Sequence, residues 1–261
     1  MKHLEYETLA LVESRHWWYR TLHEMTLVEI LNHISSKDKR GSILLFDAGC
    51  GTGGLLQYIK HRISEISLSG CEPYPWAYNK CLEKGFSNVQ NSTVVNIEGL
   101  PLVDVITCMD VLYHQNVEPL QALRKLRTKI KPDGLLILNV AALSSLSRQH
   151  DVNVMGARRF NKKEIISLAS QAGFTVREAR YWNSLLVPVL YAQIFLEKVL
   201  SAFNHTFCVR NMGTQKKSDL AQLGRFTNLL IYKILKFESG ISSFIRLPFG
   251  SSIFMVASPS K

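Results

Sequence analysis

Residues 44–56, LLFDAGCGTGGLL, run apolar, break into four glycines within six residues, and turn apolar again. A continuous apolar run that stops at a glycine cluster reads as a buried strand, a tight turn and the first turn of a helix. Glycine suits such a turn because it adopts left-handed backbone conformations without a Cβ clash and lets a ligand approach the main chain closely. Gly49, Gly51 and Gly54 satisfy the GxGxxG spacing of dinucleotide-binding turns, and Gly49, Gly51 and Gly53 satisfy GxGxG equally well. The glycines alone do not separate the two.

Asp47 bears on the choice. A carboxylate at the strand's end repels a pyrophosphate seated on the following helix N-terminus and suits a ligand with a cationic amine. S-adenosylmethionine carries that amine and a sulfonium, and its single carboxylate can be received by backbone N–H groups of the loop. Glu72, ending the next strand in SGCEPY, is placed to accept hydrogen bonds from ribose hydroxyls of either cofactor class.

Strand-like and helix-like segments alternate along the chain. SILLFDAG, SLSGCE, VDVITCMDV, LLILNVAAL, TVREARYW and SSIFMVAS read as strands. GLLQYIKHRI, PWAYNKCLEKGF, EPLQALRKLRTKI and NKKEIISLASQAGF read as helices, the last capped by Asn161 with Glu164 completing a capping box. KPDG reads as a turn. Apolar strands alternating with helices imply an α/β fold with a mostly parallel sheet covered on both faces. Two apolar helical pieces, VLYAQIFLEKVLSAF and FTNLLIYKILKFESGISSFI, fall between the last two strands, joined by a basic connector. The expected organisation is a helical lead-in at 1–40, a core at 41–182, a helical insertion at 183–250 that caps the substrate or faces a membrane, and a last strand at 251–261.

Of the 261 residues, 46% are hydrophobic and 20% charged, which fits a folded globular chain. The net charge of +10 divides unevenly: residues 1–119 hold 10 Lys/Arg against 14 Asp/Glu, and residues 120–261 hold 21 against 7. A basic half attracts nucleic acid, anionic lipid or an anionic small molecule, or only keeps the chain soluble. The five cysteines form no CxxC pair and no metal-ligand spacing, as expected of a cytoplasmic protein without a metal site. The longest apolar stretch, SLLVPVLYAQIFL, has 13 residues against the roughly 20 that a spanning helix needs. Peripheral membrane contact stays open.

LLFDAGCGTG, GCEP, DVITCMDVLYH and IKPDGLLILNVA occur in an order and spacing that resemble class I S-adenosylmethionine-dependent methyltransferases. SRHWWYRTLHEM and GARRFNKKEIISLASQAGF resemble the small-molecule branch, including O-methyltransferases of the ubiquinone-biosynthesis type. The resemblance implies a Rossmann-like, seven-stranded sheet and S-adenosylmethionine as cofactor, released as S-adenosylhomocysteine. It places Asp47, Gly49, Gly51 and Gly53 at the methionine end, Glu72 on the ribose and Pro73 beside the adenine. Met109 and Asp110 face the sulfonium. The family's acid after the third strand is absent from VQNSTVV, where Asn91 stands as the adenine partner instead. Tyr113 stands where the family commonly has glutamate, and so belongs to the substrate pocket. Trp17 or Trp18 is expected to stack over the cofactor and Arg20 to pair with its carboxylate, although aromatics near a terminus also serve as core anchors.

Methyl transfer to a hydroxyl calls for a base, and a histidine near neutral pKa suits that work. His114, past the fourth strand, is the first candidate. His150, beside Asp151 in the segment after the fifth strand, is the second. Arg158 and Arg159 in GARRF are placed to hold an anionic group of the acceptor. The expected partner is therefore a small-molecule acceptor, lipid-like, anionic or both, most simply methylated on oxygen. A nucleic-acid methyltransferase, a non-catalytic interaction module and a dehydrogenase are the alternatives, and MDVLYHQN lacks the Pro-Pro-aromatic motif common to base-modifying enzymes.

Overall fold

A computed structural model describes residues 2–36, 42–146, 155–206, 224–242, 245 and 247–260. One seven-stranded sheet organises them. Its strands are β1 (Ile43–Ala48), β2 (Ile66–Cys71), β3 (Val89–Gln90), β4 (Val103–Met109), β5 (Ile130–Ala141), β6 (Phe174–Trp182) and β7 (Ser252–Pro259). The spatial order is β3-β2-β1-β4-β5-β7-β6. The ladders from β3 to β5 are parallel, and β7 runs antiparallel to both β5 and β6.

Alternation of side chains along each strand divides the core into two layers. Phe46, Ile106, Leu136 and Leu138 pack against α5 (Pro119–Arg127) and α6 (Lys162–Gln171). Their neighbours Leu45, Val105, Leu135 and Ile137 face the other way, against α2 (Trp17–Ser35), α3 (Gly54–Lys60) and α8 (Arg225–Ile241). Both faces are apolar because both are covered. The Asn161 cap of α6 forms as expected, its Oδ1 accepting from Glu164 N at 2.9 Å.

The sequence expectations need two adjustments. KPDG does not separate β5 from the preceding helix as a turn. Val103 pairs with Ile130 and Val105 with Leu135, so residues 131–134 bulge out of a single strand. A Cβ at Gly134 would strike the Ile130 side chain and approach the Asp104 carbonyl to 3.0 Å, so only glycine closes the bulge. The third strand is short, because the Ser92 N–H folds back onto the Gln90 carbonyl and a 3₁₀ turn follows. The expected helical lead-in is two helices, α2 and before it α1 (His3–Val12), which packs through Tyr6, Leu9 and Val12 on Ala77 of α4 (Pro75–Glu83).

Helices α7 (Val187–Thr206) and α8 lie between β6 and β7 in sequence. Helix α8 is fastened to α2. The Arg20 guanidinium lies 3.8 Å over the Tyr232 ring, Tyr232 donates to Glu24 at 2.6 Å, and Asn228 Oδ1 accepts from Trp17 N at 2.9 Å.

Candidate functional site

The order of the sheet reverses between β1 and β4, and there the strands' C-terminal ends leave a crevice. A cavity of about 510 Å³ fills it, within the usual range for small-molecule sites. Helices α1 and α2 wall one side, the segment after β4 another, and Leu190 and Ile194 of α7 a third.

The glycine turn takes its shape from left-handed backbone at Gly49, Gly51 and Gly53, with φ of 80°, 56° and 81°. At Gly49 a Cβ would also run into the Val111 side chain. The turn spends its own N–H groups internally. Gly49 and Cys50 donate to the Cys71 carbonyl, Gly53 to the Cys50 carbonyl, and Gly51 to Glu72 Oε2 at 3.0 Å. These four donors are thus taken within the protein. Gly49 and Gly51 line the cavity; Gly53 does not, and it sets the turn while packing near Cys81 and Phe86.

Five carboxylates line the cavity, Glu13, Asp47, Glu72, Asp110 and Glu118, and three of them, Asp47, Glu72 and Asp110, stand at or just past the ends of β1, β2 and β4. Thr107 Oγ1 donates to Asp47 at 2.7 Å, yet burial pushes the Asp47 carboxyl up to about 7. Glu72 accepts from Tyr6 Oη at 2.9 Å and from Tyr74 N at 3.0 Å in addition to Gly51 N. Burial raises its pKa while those hydrogen bonds pull it back. Asp110 sits at a left-handed φ of 59°, unusual outside glycine and a mark of functional sites. Asn139 Nδ2 reaches both of its oxygens at 3.1 Å, and Trp182 Nε1 donates to Asn139 Oδ1 at 2.8 Å, which fixes the amide's orientation. Burial lifts Asp110 to about 7, opposed by Asn139 and by the Arg159 charge. Buried carboxyls resist ionising until a cation arrives. A ligand with an ammonium and a sulfonium meets that demand, whereas a dinucleotide's pyrophosphate aggravates it.

Among the other sequence-predicted residues, Pro73, Met109, Trp17, Tyr113, His114, Arg158 and Arg159 line the same cavity. The buried Trp17 Nε1 has no hydrogen-bond partner. His114 is held by backbone pairing with Gly156 and its ring lies 4.8 Å from that of Tyr113. Arg159 is partly spoken for, donating to the Ala142 carbonyl at 2.8 Å. Two expectations fail. Arg20 does not reach the cavity, because its guanidinium stacks on Tyr232. Asn91 does not line it either; its Nδ2 donates to the Glu72 carbonyl at 2.8 Å and braces the end of β2. His150 and Asp151 lie outside the described residues.

The sequence reading missed Tyr6, Glu13 and Asn183, all at the cavity wall. Glu13 is buried, accepting from Thr52 Oγ1 at 2.7 Å and from Lys84 Nζ. Asn183 takes a left-handed φ of 57° and donates to Ser251 Oγ at 2.7 Å, while its Oδ1 has no partner. Asn139, a lone amide in the apolar run LLILNVA, was also missed, though its polarity there could have marked it as a partner of Asp110.

The sequence from residue 17 to 179 matches the model of a methyltransferase domain. No curated protein matches the chain. Among solved structures, the plantazolicin methyltransferase BamL, solved with a substrate analogue and S-adenosylhomocysteine, aligns with a TM-score of 0.57 at 14% identity, covering 99% of this chain and 90% of that one. An S-adenosylmethionine-dependent methyltransferase from Archaeoglobus fulgidus aligns at 0.51 and 14% identity, covering 90% and 94%. The cyclopropane synthase MmaA2 from Mycobacterium tuberculosis aligns at 0.52 and 12%, covering 89% and 83%. At such identities the structures speak for the fold alone, and the domain match carries the classification: this chain belongs to the methyltransferase-domain family and is an S-adenosylmethionine-dependent methyltransferase.

Proposed function

We propose that this enzyme methylates a hydroxyl group on a small acceptor that is apolar and anionic. The observation that carries the reading is the continuity of the cavity. One lining brings together the carboxylates Asp47, Glu72 and Asp110, the cations Arg158 and Arg159, and the apolar Leu146, Leu190 and Ile194, with the Arg159 charge acting on Asp110. A donor with cationic groups and an acceptor with an apolar body and an anionic group both find partners in it.

S-adenosylmethionine would supply an electrophilic methyl carbon. Asp47 would hold its ammonium and Glu72 its ribose hydroxyls, with Pro73 and Trp17 beside its rings and Met109 and Asp110 toward the sulfonium. Arg158 and Arg159 would orient the acceptor's anion while Leu190 and Ile194 exclude water from its apolar part. His114 would take the proton that the acceptor hydroxyl loses as its oxygen bonds the methyl carbon and the carbon–sulfur bond breaks, leaving S-adenosylhomocysteine.

Thermal unfolding with S-adenosylhomocysteine, S-adenosylmethionine or NADH tests the donor. A ligand at one hundred times its Kd adds about 2.7 kcal/mol, a rise of about 5–11 °C at the 2–4 °C per kcal/mol usual for a domain of this size. The rise should come with both adenosyl ligands, not with NADH, and should vanish in Asp47→Ala. Methyl-labelled donor and a panel of hydroxy and amino acids of graded chain length test the acceptor. Label entering amines and no hydroxyl would overturn the O-methyl assignment.

A further inference from the structure

We propose that α7 and α8 form a surface that docks onto an anionic lipid bilayer. From Val187 to Leu196 the chain reads VPVLYAQIFL, without one charge. Only Val187, Leu190 and Ile194 of this stretch turn inward, and the last two line the cavity. Val189, Phe195 and Leu196 stand in solvent, Phe195 at 70% of its full exposure. Among the described residues little covers this uncharged stretch, which leaves an apolar face open to another surface.

Helix α8 shows the same pattern with charge added. Tyr232, Leu235 and Glu238 point inward, and Glu238 accepts the N–H groups of Ser184 and Leu185 at 2.9–3.0 Å, which fastens α8 to the start of α7. The outward face carries Phe226, Leu229, Leu230 and Phe237 at spacings of three, one and seven, an apolar stripe at helical period. Phe226 is 80% and Phe237 65% exposed. The ionic residues exposed on α8 are Arg225, Lys233 and Lys236, all cations; its single acid is the buried Glu238.

An aromatic apolar stripe flanked by cations is the make-up of a helix that lies in the headgroup region of an anionic membrane. A second copy of the chain fits worse, since a two-fold pairing sets like charges against each other around the same stripe. No described helix is long and apolar enough to cross a membrane, so the contact is one of lying on the surface. Because Leu190 and Ile194 line the cavity from α7, the docked orientation brings lipid close to the cavity wall. The inference stands independently of the methyl-transfer reading.

Flotation with vesicles of phosphatidylcholine alone and of phosphatidylcholine mixed with phosphatidylglycerol tests it, with analytical ultracentrifugation alongside. The protein should float with the mixed vesicles and lose that binding as salt is raised. Each of Lys233→Ala and Lys236→Ala should weaken partitioning about fivefold. Phe226→Ser with Phe237→Ser should weaken it tenfold or more on either vesicle. All the replaced side chains are exposed, and retention of the wild-type melting point and of its response to S-adenosylhomocysteine shows that the variants are folded. Absence of flotation with both vesicles overturns the proposal. So does binding that Phe226→Ser with Phe237→Ser leaves intact, or a dimer in the centrifuge that the same pair dissociates.

Discussion

Asp47 and Asp110 should make cofactor binding release protons, and the two forms of the cofactor should release different numbers. Both carboxyls are pushed up to about 7 by burial. At pH 6 each is then about 90% protonated, while the ligand's own ammonium keeps its proton. An ammonium arriving at Asp47 expels about 0.9 proton. A sulfonium facing Asp110 expels about 0.9 more, and S-adenosylhomocysteine has no sulfonium. S-adenosylmethionine should thus release about 1.8 protons and S-adenosylhomocysteine about half that. Between pH 6 and pH 7 the affinity should rise about fivefold for the product and about thirtyfold for the donor, or about 1 kcal/mol per carboxyl. The sign also fixes the protein's own stability. Each folded-state pKa lies above the unfolded value of 3.8. The contribution of these groups is therefore full below about pH 4 and drains away as pH climbs to about 7. Titration calorimetry at pH 6 in two buffers of unlike ionisation enthalpy counts the protons directly. Equal counts for the two ligands would refute the placement of the sulfonium beside Asp110, and a count near zero for both would refute the buried-carboxyl argument altogether.

Other perturbations act through hydrogen bonds already described. Asn139→Ala strips both Asp110 and the Trp182 indole of a partner and should cost about 2–4 kcal/mol in urea unfolding; Trp182→Phe, which removes one donor, should cost about half as much. Glu238→Ala orphans the buried N–H of Ser184 and the half-buried N–H of Leu185 just ahead of α7 and should destabilise by about 1–3 kcal/mol, with Glu238→Gln recovering much of that in a thermal melt. Tyr6→Phe removes the hydroxyl that α1 gives to Glu72 and should cost about 1–2 kcal/mol, with faster amide exchange confined to α1; unchanged exchange there would mean that apolar packing alone holds the helix.

What the sequence disclosed followed from periodicity and from turns with few solutions. The strands LLFDA and VDVITCM are continuous apolar runs because both of their faces are buried, and the glycines after β1 mark φ values that few other residues tolerate. Residues whose position depends on tertiary packing were hidden. Arg20 follows two tryptophans expected over the cofactor, but one helical turn carries it to the flank where Tyr232, more than two hundred residues later, offers its ring. Asn91 was assigned from a missing acid, and nothing local told that its amide would bond the backbone of β2. Tyr6 and Glu13 reach Glu72 and Thr52 only because α1 folds across the ends of the strands, a placement set by packing on Ala77, Tyr74 and Trp76.

The reversed strand β7 has a consequence for the order in which the molecule is made. It sits between β5 and β6 and supplies a ladder to each, yet it begins about seventy residues after β6 ends. At about 5–20 residues per second the ribosome needs roughly 4–14 seconds to produce the intervening chain. Through that interval β5 and β6 each present a naked edge, with Leu136, Ile137 and Leu138 beside it. The nascent chain meets its greatest risk of sticking to other chains in those seconds, and a ribosome stalled before Ser252 leaves the sheet in two pieces that only the missing strand can join.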